Sequence, residues 1–337
     1  MKIKYPVMIF ITVVVMVLGV MVGSVTVSAS DTIRVIIGAV FHLSVGEIPE
    51  QISQIILNIR LPRVLTSALV GAALALCGAA MQGLLKNPLA DGSTLGVSSG
   101  ASLGAVLAIA FSTSSSFVSN LGVGAMSILF AFLSMFMILG LANTIDHSMS
   151  TNTIILIGVI FSMFTSSITS FIITIASNKV KSIVFWSMGS LSNTSYQEVG
   201  CLTIMLLLAA FVLQFYASEL NAFAIGEENA RHIGVHVKRT KLIIMIVVSI
   251  VIGICVSISG TIVFVGLIIP HIARLITGPN HKRLLPMSIF LGATFLVLAD
   301  LISRTIVSPI ELPIGVITSF IGSILFIYLY YRLHKRN

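Results

Sequence analysis

The chain has 337 residues, 57% hydrophobic and 9% charged, with a mean hydropathy of +1.10 and a formal charge of +8. A soluble domain carries about a quarter charged residues, so this composition excludes one and leaves an all-α protein that crosses a membrane many times. The positive charge then bears on which loops face the cytoplasm, and it calls for membrane lipid as a partner rather than nucleic acid.

At the N-terminus, MKIK precedes Val7 to Val27, an almost unbroken apolar run. It exceeds the roughly 7–15 residues of a secretory signal core and can span about 30 Å of hydrocarbon. It reads as a retained first helix, although VSAS at 27–30 resembles a cleavage site after Ala29. At about 20 residues per span, further helices are predicted over 61–85, 92–112, 121–142, 153–175, 199–217, 242–262, 263–277, 285–303 and 312–331, ten in all within one transmembrane domain over 1–337. Starting the chain inside and alternating puts thirteen of the nineteen Lys and Arg residues in the cytoplasm, which predicts a cytoplasmic side for both termini.

Between the first two spans, 31–59 reads as an external loop with no site of its own. RLPR then places Arg60 and Arg63 at the outer mouth of the second helix, against the usual bias, and Arg304 stands at the outer end of the ninth. By position alone, snorkelling to lipid phosphate is the simpler reading, and contact with carboxylates of a docking protein the sharper one. At the inner end of the second helix, LLKNPLADGS (84–93) turns at Asn87-Pro88, and a second short polar turn, HSMSTN, covers 147–152. Gly92, Gly96, Gly100 and Gly104 recur every four positions, a stripe that suits close helix packing better than a pathway.

Cys77, Cys201 and Cys255 lie in apolar runs without metal-ligand or CxxC spacing and read as packed thiols. Glu227 to Lys241 differs from everything around it: fifteen residues hold six of the chain's thirty Asp, Glu, Lys and Arg side chains. The charges are ordered for a short helix, with Glu227 and Glu228 in its first turn, Arg231 and His232 in its last, and Gly234 as the residue that ends it. Such an island is either a solvated connection or a grip for a soluble partner. Beyond it, Ser259-Gly260-Thr261 and Pro270 predict a broken eighth helix. His271 reads as a partner for a carbonyl freed by Pro270 rather than a metal ligand. Asp300 is the one acid well inside a predicted span, with Arg304 at i+4 as its expected partner.

No GxxxxGK[ST] phosphate loop, HExxH helix or GxSxG elbow is present, so no catalytic residue and no metal site is assigned. An ion-coupled secondary transporter usually needs more intramembrane ionisable groups than this chain offers, and an intramembrane enzyme needs paired catalytic groups at one depth.

Five segments together identify a resemblance covering nearly the whole chain. They are RLPRVLTSALVGAALALCGAAMQGLLKNPLADGSTLGVSSGAS (60–102), WSMGSL (186–191), GEENARHIGV (226–235), SGTIVFVGLIIPHIARL (259–275) and LADLISRTIVSPIELPIGVITSFIGSILFIYLYY (298–331). The chain resembles the FecCD-type permeases, the membrane subunits of ATP-binding-cassette importers for iron siderophores, haem and cobalamin. The resemblance implies the type II importer fold with ten helices, a cytoplasmic-membrane location and cargo that is an iron-siderophore complex, haem or cobalamin. It implies as partners a second permease subunit, identical or paralogous, two ATPase subunits that bind ATP and Mg, and an extracytoplasmic binding protein. It implies that two short helices at about 219–238 couple to the ATPase, with Gly226, Glu227, Glu228, Ala230, Arg231 and Gly234 matching the motif. It turns Arg60, Arg63 and Arg304 into docking residues for the binding protein, and makes Asn87, Leu89, Thr151 and Asn152 a cytoplasmic gate. At 152 the cobalamin member of the family has serine, and asparagine keeps the position polar.

Overall fold

The computed structural model describes residues 4–23, 27–41, 48–92, 95–112 and 117–334, and every regular element among them is helical. Residues 24–26, part of the predicted first span, and 93–94, inside the first inner turn and the third predicted span, lie outside the described residues. In chain order the elements are α1 (Lys4–Met21), α2 (Ala29–Phe41), α3 (Glu50–Gln54), a π-helical turn (Ile55–Arg60), α4 (Leu61–Leu84), α5 (Val97–Ala110), α6 (Phe117–Ile145) and α7 (Thr151–Ile175). A 3₁₀ turn (Ser177–Lys179) leads to α8 (Val180–Ser187), α9 (Tyr196–Phe215), α10 (Ala217–Ile225), α11 (Glu227–His232), α12 (Val237–Ser259), α13 (Val265–Thr277), α14 (His281–Thr305) and α15 (Ile314–His334).

Seven of these helices are long and apolar enough to cross a membrane, and three shorter apolar helices lie over Val97–Ala110, Val265–Thr277 and Ile314–Tyr328. The ten predicted segments therefore all fall on apolar helices, with α5 and α13, at 14 and 13 residues, too short to span by length alone. The 31–59 segment, expected to be an external loop, is more structured than that. It holds α2 and α3, and α3 runs through the π turn into α4 as one 35-residue rod, Glu50–Leu84.

α4 is the axis of the bundle. Its sequence is apolar all round and dense in alanine and glycine, the pattern of a helix enclosed on every side, and nearly all of Pro62 to Leu84 is buried. Two glycine pairs bring neighbours to backbone contact. A Cβ on Gly71 would collide with the Gly292 carbonyl of α14, and one on Gly78 with the Gly266 carbonyl of α13. The 92–104 stripe acts in the same way. Cβ atoms on Gly100 and Gly104 would strike Ser134 and the Met126 carbonyl of α6, so these glycines serve packing.

The break between α12 and α13 lies at Gly260 (φ +67°) and Phe264 (φ +70°), and Pro270 is carried inside α13. Among the described residues His271 Nε2 is buried without a hydrogen-bond partner, so this ring nitrogen does not satisfy the carbonyl freed by the proline. α4, residues 91–92, α5, α7, α12, the 260–263 break and the start of α13 line a partly open cavity of about 330 Å³, with Asp91, Ser98, Ser99, Ser166, Cys255 and Ser259 among its walls.

Candidate functional site

The charged island folds as its residue order predicts. α10 is fixed by burial of Ala217, Leu220 and Phe223 and by Asn221, whose Oδ1 accepts from His281 N at 2.8 Å at the start of α14. Gly226 (φ +134°) breaks the chain between α10 and α11, a backbone that a side chain would strain. Glu227 and Glu228 occupy the first turn of α11 and Arg231 and His232 the last, matching the helix dipole. Gly234 (φ +91°) ends it, with Val235 N donating to Ala230 O at 3.0 Å in the manner of a Schellman cap.

The six motif positions divide by direction. Ala230 is fully buried and seats the helix, while Glu228, Arg231 and Gly234 are exposed. Flanking them, Ile225 is 70% and Ile233 68% exposed, two large apolar side chains beside charges at one end of the molecule. Glu227 turns inward. Its Oε1 accepts from Lys241 Nζ at 2.7 Å and from Thr151 Oγ1 at 2.9 Å. Lys241, on α12, has no exposed surface and donates a second hydrogen bond to Met149 O at 2.8 Å.

Both inner turns thus meet the island. Thr151, expected in the gate, is bonded to Glu227, expected in the coupling segment. On the other side, a Cβ on Gly226 would stand 3.7 Å from Lys86 Nζ, next to the turn at Asn87. That turn is an Asx turn, with Leu89 N donating to Asn87 Oδ1 at 2.9 Å; Leu89 itself is half exposed, and Asn152 is exposed. The 147–152 turn is held from below by Asp146, whose oxygens accept from Ser148 N, Ser148 Oγ and Ser150 N at 2.6–2.9 Å. The Ser148 hydroxyl, then the Ser150 bonds, hold the Asp146 carboxyl below the usual carboxylate range.

At the opposite end, the exposure expected of the docking arginines is corrected. Arg60, Arg63 and Arg304 are only 4%, 6% and 3% exposed. Their charge is used inside the chain. α1 has no basic residue in its last turn, and its final carbonyls are capped from other helices: Arg60 Nη1 donates to Met21 O at 2.9 Å and Arg304 Nη2 to Gly19 O at 2.9 Å. Arg63 pairs with Asp300 at 2.9 Å and with Glu311 at 2.8 Å, and Arg304 pairs with Asp300 at 3.1 Å. The Asp300–Arg304 pair was legible at i+4; Arg63 as its third member was not. Glu311, whose side chain is 36% exposed, is the open edge of the cluster.

Sequence reasoning missed Lys241 as well, counting it only as a cytoplasmic charge. The signal was its phase: Val237, Thr240, Lys241, Ile244, Met245 and Val248 form the buried stripe of α12 at i, i+3, i+4, i+7, i+8 and i+11. Among the described residues, no three His, Cys, Asp or Glu side chains converge as a metal site would need.

Known proteins share this architecture. The chain is 44% identical to the uncharacterized ABC transporter permease protein YvrB of Bacillus subtilis (strain 168), over 95% of this chain and 90% of that one. It is 39% identical to the cobalamin import system permease protein BtuC of Halobacterium salinarum, over 84% and 74%. A solved structure described as a metal-chelate type ABC transporter in an inward-facing conformation superposes with a TM-score of 0.81 at 33% identity, covering 97% of this chain and all of that one. The FecCD transport family model matches residues 11–332, and the chain belongs to that family.

Proposed function

We propose that the chain is the permease subunit of an ATP-binding-cassette importer that carries a ferric siderophore inward across the cytoplasmic membrane, with haem and cobalamin as the alternative cargoes. ATP and Mg act on two partner ATPase subunits, a second permease subunit completes the pathway, and an extracytoplasmic binding protein delivers the cargo. The cobalamin permease relative and the metal-chelate structural relative support a metal chelate as the class of cargo. Ten crossings with both termini inside agree with the distribution of basic residues.

The observation that carries the reading is the outward face of α10 and α11. Ile225 and Ile233 bracket the exposed charges of Glu228 and Arg231 on a short helix pinned to the bundle by Ala230. An apolar pair ringed by charge has the makeup of a protein contact. In this reading Gly226, Glu227, Ala230 and Gly234 shape the dock, and Glu228 and Arg231 contact the ATPase. Asn87, Leu89, Thr151 and Asn152 then narrow the inner mouth. At the outer end, the buried Arg60, Arg63 and Arg304 act on the binding protein through Glu311, the open edge beside Arg63.

The test is co-purification of the permease with its ATPase. Glu228→Arg combined with Arg231→Glu is expected to remove most of the bound ATPase while leaving the permease folded, because both side chains are exposed. A full complex in this variant would refute α11 as the dock.

A further inference from the structure

Lys241 is an ammonium taken wholly out of solvent where the docking helix, the inner turn and a spanning helix meet. A buried charge persists where an opposite charge and hydrogen bonds replace its hydration. Glu227 of α11 supplies the charge, and Met149 O, before α7, supplies a second acceptor. Thr151 Oγ1, in the first turn of α7, donates to the same Glu227 oxygen, so three elements share two polar atoms.

The turn between them has little freedom to absorb movement. Met149 is fully buried and held at φ +52°, a left-handed backbone that non-glycine residues rarely adopt. From the other side Asp146 ties Ser148 and Ser150. A displacement of α11 therefore reaches the start of α7 rather than dissipating in the loop. Further along α7, Ser162 and Ser166 line the 330 Å³ cavity, and Ser162 is bonded to Ser99 of α5 at 3.1 Å.

Resting on the docking reading above, we infer that Lys241 is the positioning residue that passes movement of the ATPase-bound α11 to α7, and so to the wall of the hydroxyl-lined cavity. It touches neither nucleotide nor cargo. Its task is to keep Glu227, Met149 and Thr151 moving as one body.

The test uses the transporter assembled with its ATPase, carrying Ser166→Cys in a chain whose Cys77, Cys201 and Cys255 are alanine. The labelling rate of Ser166→Cys by a maleimide is read with and without ATP. With Lys241 in place, ATP should change that rate by about fivefold or more. Lys241→Met should remove the ATP response while subunit stoichiometry and ATP hydrolysis persist, and Lys241→Arg should restore most of it. A lysine that only stabilised the fold would not separate hydrolysis from the cavity response in this way. An undiminished ATP response in assembled Lys241→Met overturns the inference alone. Failure of the parent chain to bind the ATPase contradicts the docking reading and this inference with it. If Lys241→Met does not accumulate, Thr151→Val serves, since it keeps the ion pair but cuts the link to α7. It should reduce the response by about twofold or more, and an unchanged response overturns the inference.

Discussion

The two ionic clusters at opposite ends of the bundle use similar chemistry for different ends. The outer one joins Arg63 of α4 with Asp300 and Arg304 of α14, helices that already touch backbone to backbone through Gly71 and Gly292. The inner one joins Glu227 of α11, Lys241 of α12 and the first residues of α7. α11 is only six residues long, so its position depends on what it is tied to. The outer cluster reinforces an interface that packing has settled, whereas the inner one makes the connection itself. An ion network at a rigid seam serves stability, and the same network across a short, exposed helix is placed to carry force.

Breaking each cluster should therefore give opposite patterns of damage. The largest effect on the fold is expected from Asp300→Ala, which takes the shared carboxylate from two buried guanidinium groups and leaves Arg63 with Glu311 and Arg304 with the Gly19 carbonyl. Removing one partner of a buried ion pair costs about 3–5 kcal/mol, and a lower thermal midpoint in detergent would register it. Lys241→Met should cost less. Its partner Glu227 keeps a side chain 27% exposed and can regain water, so the loss should resemble that of a charged hydrogen bond, about 1.5–3 kcal/mol. If Lys241→Met destabilised the chain more than Asp300→Ala, the contrast between the two clusters would fail.

A smaller effect is expected at the open edge of the outer cluster. Glu311→Gln removes the partly exposed partner of Arg63, which keeps Asp300, so the cost should be about 1 kcal/mol, leaving the fold intact while changing the salt dependence of binding-protein association. The same salt slope with and without Glu311 would place docking elsewhere. The smallest effect concerns the inner turn and acid. Because the Asp146 carboxyl is held below its ordinary range, its contribution is complete above the unfolded carboxylate pKa of about 3.9 and is lost as pH falls below it. Asp146→Asn should flatten the acid limb of a stability-against-pH curve; an unaltered limb would remove Asp146 from the account of that turn.

Much of this architecture was legible in the residues because it rests on local rules. The charge order of α11, its glycine terminator, the break before α13 and the Asp300–Arg304 pair each follow from neighbours a few positions apart. What stayed hidden depends on contacts across the chain. Arg60 and Arg304 read as outward charges because the carbonyls of α1 that they cap lie 39 residues from one and 285 from the other. Glu227 read as a coupling residue and Lys241 only as one more charge of the island, and only the buried stripe of α12 shows that Lys241 points inward. Thr151 was singled out for the gate, yet its bond to Glu227 joins positions seventy-six apart in sequence. The helix α2 was missed since it falls in a segment too polar and too short to suggest a span.

In the proposed function, this chain moves cargo with energy taken from ATP on another subunit. The direct measurement is uptake of a radiolabelled ferric siderophore into proteoliposomes containing the permease, its ATPase and its binding protein. Uptake should require ATP on the ATPase side and persist when proton and sodium gradients are collapsed. Uptake without ATP that follows an imposed ion gradient would contradict the account.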